Sequence, residues 1–444
     1  MGRIGLIGEN SVEYIDMLLD IWNGGDCAVL IDWRIPYRTA VEMMKEAKVQ
    51  NCYIQKKVWD KVPEKMQEDI EFAPFERKSN TAQLLPSTIY DKFKENYSGD
   101  EAVVLYSSGT TGRAKGIILS HYAINTNADA IIDYMRPAEN DCIYIAKTLS
   151  HSSTLTGELL VALKMHMKLV VAPTIVPPRY VLGNVRKFMV TIICLNPTLL
   201  SMYAEEHMHS RCDLSSLKTI YVSGSILSDR VYQRASEAFS GIAIYNVYGL
   251  SEAGPRVTAQ RADCCKSNSV GKPIKGIEIV IVDENGDEAK QFERGVVHVN
   301  TPSNFVGYIS GSEKHNPLYK NWLNTGDIGY IDDNGELHIV DRLDDVIIID
   351  SHKIYPSDVE ELIQKVIEVN ECAVIKIDQD QNEMLGCLYV AGTIINAENI
   401  KAFRSGLMQY EIPKKFVKTD AIPKNRNGKR NYDDIRELLY TRRV

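Results

Sequence analysis

Short apolar runs alternate with amphipathic stretches through the first 250 residues, and this rhythm narrows the fold more than any other property of the chain. The stretch NSVEYIDMLLDIWNGG (10–25) carries apolar residues at helical spacing, with Asn10 placed to cap its start and Gly24 and Gly25 to stop it. CAVLI (27–31) then reads as a buried strand. The pattern repeats: a helix near 38–48 before NCYI, VLGNVRKFMV before TIICL, a helix after Asn196 before LKTIYVSG, and one near 228–240 before IAIYNVYG. Brief apolar strands separated by amphipathic helices predict an α/β protein of mostly parallel sheets covered on both faces. In such sheets ligands gather beyond the carboxyl ends of the strands, where the glycine-rich and polar loops of this sequence fall.

From about 276 the texture changes. IEIVIVDENGDE (277–288) and GYIDDNGELHIVDR (329–342) each turn at Asn-Gly, which predicts an antiparallel β subdomain closing the large domain. Beyond DRLDD (341–345) a small α+β unit is expected: VIIID, a helix from Ser357, CAVIKI, LGCLYVAG, a helix near 397–410, then KFVKT. The expected division is 1–341, a hinge at 342–345, and a mobile C-terminal domain over 346–444.

The totals exclude several classes. A net charge of −8 argues against a nucleic-acid binder. No apolar run approaches the ~20 residues that span a bilayer, and MGRIGLIGEN has no signal-peptide core. Nine cysteines without CxxC spacing suggest reduced thiols in a cytoplasm. His207 and His209 read as a solvated helix end rather than as a chelating pair.

The most informative stretch is VVLYSSGTTGRAKGIILSH (103–121). Between two buried segments it places the hydroxyls of Ser107, Ser108, Thr110 and Thr111 and the glycines 109, 112 and 116. With Lys115 these suit a loop whose backbone amides converge on an anion. It is not a Walker A loop, because Gly109 and Gly112 are too close together and Lys115 is followed by glycine.

YSSGTTGRAKG (106–116) resembles the phosphate-binding signature of the adenylate-forming superfamily of acyl-CoA synthetases, adenylation domains and luciferase. Four further stretches resemble that family's motifs in its order: YNVYGLSEAG (245–254), NTGDIGYIDDNGELHIVDRLDD (324–345), HKIYPSDVEE (352–361) and IPKNRNGKRNYDDIRELL (422–439). The resemblance implies use of ATP and Mg²⁺ to turn a carboxylic acid into an acyl-adenylate. The acyl group then passes to a thiol, either of CoA or of a carrier protein's phosphopantetheine arm. It implies Lys429 as the catalytic lysine, Glu252 as the Mg²⁺ ligand, and Thr111 and Ser251 on the phosphates. Tyr248 is implied to stack on adenine, with Asn246 and Gly249 in its motif and Gly224 and Ser225 lining the other side. Asp327 would accept the ribose hydroxyls, Arg342 would add a ribose or phosphate contact, and Asp344 would be the pivot.

The chain departs from the family pattern at Ala114, Ser251 and Asp341, and at Asp350-Ser351 before His352 and Lys353. A glycine at 351 would let a pantetheine arm approach closely; serine there counts against transfer to CoA and, with the shortened chain, tilts the expected acceptor towards a carrier protein, CoA staying open. The chain also starts almost on the helix at Asn10, so a strand and a helix of the family are expected to be missing, with a neighbouring subunit or a rearrangement covering the edge. LSHSSTLTGEL (149–159), NPTLLSMYA (196–204) and the loop at 223–226 are expected to line the acid pocket, with His151 as its gate. No aspartate is present there to hold an α-ammonium, which favours an aryl or aliphatic acid. Oligomeric state is left open, and the alternative reading is a non-catalytic nucleotide-binding protein that keeps the fold.

Overall fold

The computed structural model describes residues 2–62, 70–107, 114–174, 176–261, 268–309, 318–349, 352–367, 369–379, 382–425 and 428–441. Two compact units emerge. The first comprises Met1–Val280, His298–Thr325 and Asp333–Leu337; the second comprises Ile281–Val297, Gly326–Asp332 and His338–Val444.

The first unit is built on two mixed sheets. One orders its seven strands as Gly307–Tyr308, Lys115–Leu119, Val103–Ser107, Cys27–Asp32, Arg3–Gly8, Asn51–Gln55 and Glu71–Phe75. The stretch from Val103–Ser107 to Glu71–Phe75 is parallel. Arg3–Gly8 is a strand that the sequence does not announce, since its two glycines break the β-branched pattern that marks one. It nonetheless lies between Cys27–Asp32 and Asn51–Gln55, with Leu6 and Ile7 in the core. The other sheet has eight strands, of which Ala243–Gly249, Thr219–Val222, Ile192–Leu195, Cys142–Ile145 and Lys168–Val171 are adjacent and parallel. A core of Tyr144, Val170, Val185, Ile193, Leu200, Ile220 and their neighbours seals one of its faces.

The helix expected from Asn10 runs Val12–Asn23 and is capped instead by Ser11, whose side chain accepts the Tyr14 N–H. Asn10 is occupied elsewhere: its amide donates to the Lys147 carbonyl at 2.7 Å and accepts the Leu149 N–H at 2.8 Å. Asn196 does cap its helix, Pro197–Ser210. His207 and His209 lie in the last turn of that helix, His207 stacked on Phe239.

In the second unit, Val369–Gln379 and Asn382–Ala391 form a long antiparallel hairpin, with Lys415–Lys418 parallel to the second strand. The helices Pro356–Val366 and Tyr432–Thr441 both pack on this hairpin. The helix expected near 397–410 stops at Phe403, where Ser405 donates its hydroxyl to the Ala402 carbonyl and Gly406 follows. Strands Glu278–Val282, Gly295–Asn300, Trp322–Ile331 and Leu318–Tyr319 follow one another in a five-stranded sheet, with Leu337–Arg342 also pairing to Trp322–Ile331.

Candidate active site

Val103–Ser107 and Lys115–Leu119 are antiparallel partners, with Ser107 opposite Lys115 and Tyr106 opposite Gly116. The phosphate-type loop is therefore the connection of a hairpin. Ser108, Gly109, Thr110, Thr111 and Gly112 lie outside the described residues. At the hairpin's edge Gly307–Tyr308 pairs with Ile117–Ile118 and brings in a side chain that sequence reasoning missed. The Tyr308 hydroxyl donates to Glu252 Oε1 at 3.0 Å, and Lys115 Nζ sits 5.7 Å from the Tyr308 ring centre. One phenol thus orients the carboxylate and holds the ammonium against its face. Tyr308 looks like any strand aromatic in sequence, and its role depends on a pairing nearly 200 residues distant.

Glu252 projects from the short turn Ser251–Ala253 that follows the strand Ala243–Gly249. The backbone is crowded there: a Cβ on Gly249 would lie 1.9 Å from the Pro255 carbonyl oxygen, so no side chain fits. Tyr248 is half-buried and paired with Thr258. Asn246 is buried, its N–H donating to Gln260 Oε1 at 2.8 Å and its side chain to the Ser269 carbonyl at 3.0 Å, so it braces the strand beneath Tyr248. The loop beyond Thr219–Val222 exposes Gly224, at φ +103°, and Ser225.

At the carboxyl end of Cys142–Ile145, the loop pinned by Asn10 leads into a helical segment from Ser152 to Lys164. Its middle, Leu155–Leu160, is wound as a π-type turn, a form that recurs at functional sites. Ser152 Oγ lies 2.8 Å from Ser251 Oγ, which joins this segment to the Glu252 turn. His151 caps the segment, Nδ1 accepting the Ser153 N–H at 3.4 Å and lying 3.1 Å from Ser153 Oγ.

Behind it sits a charged group that sequence reasoning also missed. Glu158 is fully buried, with Lys147 Nζ 3.3 Å from Oε1, and burial raises its pKa against the pull of Lys147 and Arg256. Arg256, also buried, donates to the Tyr134 hydroxyl at 2.7 Å. Each was visible as a charged residue inside an otherwise apolar stretch, in IYIAKTL, GELLVAL and GPRVTA.

In the second unit, Arg342 Nη1 donates to Asp327 Oδ1 at 2.8 Å, with Asp327 buried and Arg342 41% exposed. Gly326 makes room for the pair: at φ +69° it takes the left-handed form, and a Cβ there would meet Arg342 Nη2 at 3.2 Å. Asp344 is exposed on the turn Leu343–Asp345. Residues on both sides of it are anchored, Asp345 Oδ2 accepting the Tyr432 hydroxyl at 3.2 Å and Asp341 Oδ2 the Ser357 N–H at 3.0 Å. Lys353 pairs with Glu284 and His352 stacks on Tyr410, 4.1 Å between ring centres; Asp350 and Ser351 lie outside the described residues.

Burial lifts the Asp341 pKa from 3.8 to about 6, with Ser357 opposing and Glu360 and Asp345 assisting. The fold therefore favours the protonated acid. That contribution to stability is complete below pH 3.8 and is lost as pH rises through about 6. Asp341→Asn keeps an acceptor for the Ser357 N–H and cannot ionise. It is expected to match the parent at pH 4 and to exceed it at pH 8 by on the order of 1–2 kcal/mol, part of the full linkage value because the group is partly solvated. Urea unfolding at the two pH values measures this, and an equal difference at both would refute it.

Lys429 is exposed beside Gly428, on a segment where Lys424 and Arg430 form an antiparallel bridge and the Lys429 N–H donates to Asn425 Oδ1 at 3.0 Å. Its neighbour Arg430 points the other way. Arg430 makes two 2.8 Å bonds to the carboxylate of Glu360 and a third, 2.9 Å, to the Cys372 carbonyl. Lys429 is thus presented by a segment locked to the domain core.

Comparison with known proteins gives the family. The family model described as AMP-binding enzyme matches residues 2–309, and that of the AMP-binding enzyme C-terminal domain matches 358–429. The 2-succinylbenzoate–CoA ligase of Bacillus cereus is 26% identical over 98% of this chain and 88% of its own. The 4-coumarate–CoA ligase 2 of Petroselinum crispum is 27% identical over 98% of this chain and 84% of its own. Among solved structures, ATP-bound MatB of Rhodopseudomonas palustris superposes with a TM-score of 0.85 at 22% identity, covering 98% of this chain and 88% of that one, a likeness of fold. With the model spanning more than half its length, the chain belongs to the AMP-binding enzyme family.

Proposed function

We propose that this chain joins a small carboxylic acid to ATP, forming an acyl-adenylate and pyrophosphate, and then transfers the acyl group to the thiol of CoA. The observation that carries this reading is the Lys115–Tyr308–Glu252 arrangement at the edge of the glycine-and-hydroxyl hairpin. A carboxylate oxygen of the acid attacks the α-phosphorus, and the bond to the bridging oxygen breaks, its electron pair leaving with pyrophosphate. Backbone amides and hydroxyls of 107–112 with Lys115 hold the phosphates, and Tyr248 offers its ring to adenine beside Gly224 and Ser225. Asp327, released from Arg342, accepts from the ribose hydroxyls, because an ionised carboxylate is a pure acceptor.

Glu252 suits a magnesium ion. Tyr308 orients Oε1, and a hard cation bound through one carboxylate, substrate phosphates and water needs no larger cluster. Bound there, the ion would neutralise charge on the departing pyrophosphate. Glu252→Gln is expected to raise the magnesium concentration for half-maximal activity about tenfold, and Tyr308→Phe a few-fold. Equal magnesium dependence in all three proteins would remove Glu252 from that role.

The domain division proposed from the resemblance is 1–341, hinge 342–345 and 346–444, with Asp344 as pivot. An aryl or aliphatic acid is favoured by the absence of an aspartate near His151 and by the aryl acids in the relatives' names. Those names also favour CoA over a carrier protein as acceptor. Among the described residues no helix is long and apolar enough to cross a membrane, and seven cysteines are free thiols, which suits a reducing cytoplasm. Incubation with ATP, magnesium and a mixed acid library, read by mass spectrometry, is expected to reveal an acyl-adenylate that CoA consumes. Absence of any adenylate would overturn the proposal, and one consumed by a carrier protein alone would overturn the choice of CoA.

A further inference from the structure

Arg256 carries a charge that the fold does not meet. It is 3% exposed, yet among the described residues no carboxylate lies within ion-pair distance of its guanidinium. Its one side-chain bond is the 2.7 Å donation from Nη1 to the Tyr134 hydroxyl. That phenol cannot supply the missing charge, because burial pushes its pKa up to about 12. Glu158, the buried carboxylate that feels Arg256, is paired instead with Lys147 at 3.3 Å. Two buried cations therefore share one carboxylate. Burial also favours the protonated form of Glu158, which would only enlarge the positive excess. An arginine cannot shed its proton, and a buried charge left without a counter-ion is costly. The arms not used on Tyr134 are Nε and Nη2. Nη2 lies against Gly157, in the middle of the π-type turn, where a Cβ would sit 3.3 Å from it. On the same turn Thr156 Oγ1 is buried with no hydrogen-bond partner among the described residues.

We propose that Arg256 determines specificity by receiving a second anionic group of the substrate, so that the acid activated is a dicarboxylic one. One carboxylate attacks ATP, and the other is held at the guanidinium beside Gly157. This rests on the proposed adenylation of an acid and on 149–159 as a wall of its pocket. Arg256 lies four residues after Glu252, the proposed magnesium ligand. Ser152, at the start of the segment that contains Gly157, is bonded to Ser251 at 2.8 Å, so one connected stretch links the two positions. The Nε–Nη2 edge of a guanidinium matches a carboxylate with two parallel bonds. An acid with a neutral tail would leave the buried cation unmet, and a site with an unsatisfied buried group rejects its ligand strongly.

The test is pyrophosphate–ATP exchange with matched acids. Phthalate, isophthalate, terephthalate, succinate, glutarate and adipate are each compared with their own monomethyl ester, which keeps the skeleton and loses the second charge. In the parent at least one diacid is expected to exceed its ester about a hundredfold in kcat/KM. Arg256→Met, similar in length and uncharged, should erase that preference. Arg256→Lys, which keeps the charge and loses the fork, should lower it about tenfold. The ratio is read rather than either rate, so a general loss of activity does not imitate the effect; if Arg256→Met does not fold, the lysine variant decides. Calorimetric titration of the same diacids without ATP gives a readout free of turnover, and affinity is expected to fall about tenfold or more from parent to Arg256→Met. The inference fails if the esters serve the parent as well as the diacids, if the preference survives in the variants, or if the acid found by the library screen has no second anionic group. Each of those results leaves the adenylation reading standing. No adenylate from any acid would overturn that reading instead, and the titration would still decide on Arg256.

Discussion

Lys429→Ala is expected to lower pyrophosphate–ATP exchange about a thousandfold while leaving stability within about 0.5 kcal/mol of the parent. The reacting acid and the α-phosphate are both anions. Two unit charges ~4 Å apart repel by about 4 kcal/mol at an effective dielectric of ~20, and that barrier corresponds to roughly three orders of magnitude in rate. The proposed remedy is the Lys429 ammonium group. Lys429 is exposed in its own domain, so the fold loses little when its side chain is removed. Transfer to CoA from a supplied acyl-adenylate should proceed largely as before, since the charge problem is past by then. Equal loss in both half-reactions would sink the assignment of Lys429 to the first of them.

The adjacent residue should behave in the opposite way. Arg430→Ala is expected to cost about 3 kcal/mol of stability in the C-terminal unit, because it strands the Glu360 carboxylate, 8% exposed, between helix Pro356–Val366 and strand Val369–Gln379. Arg430 is itself 28% exposed, which puts the loss at the lower end of the range for broken buried pairs. Glu360 also accepts the Val374 N–H at 2.8 Å, so the damage reaches the central hairpin. Combining Arg430→Met with Glu360→Gln removes both charges and should recover a large part of the loss. Urea unfolding measures each variant. If Arg430→Ala unfolds at the parental midpoint, the pair contributes nothing and the segment bearing Lys429 is held by other means.

The periodic elements were legible because their signals are local. Ile192–Leu195, the Asn196 cap and helix Pro197–Ser210 all follow from apolar spacing and one capping residue. The Glu252 turn and the Lys429 segment are likewise contiguous words in the sequence, as is the Ser/Thr/Gly stretch, whose residues 108–113 lie outside the described residues. What could not be read was pairing at a distance. Asn10 looked like a cap because asparagine favours helix starts, yet it is committed to backbone groups 137 and 139 residues away while Ser11 does the capping. Tyr308 acquires meaning only when Gly307–Tyr308 docks beside Ile117–Ile118. Lys147, Glu158 and Arg256 were each out of place in their stretches, and nothing local indicated that they share one buried neighbourhood.

The grip of Asn10 has a bearing on engineering. Residues that choose the substrate are usually sought among those facing it, but here the segment proposed to line the acid pocket is propped by a residue 137 positions earlier in the chain. Libraries aimed at new acids should therefore include position 10, and fusions or trims near the amino terminus are best judged by which acids the protein accepts as well as by yield.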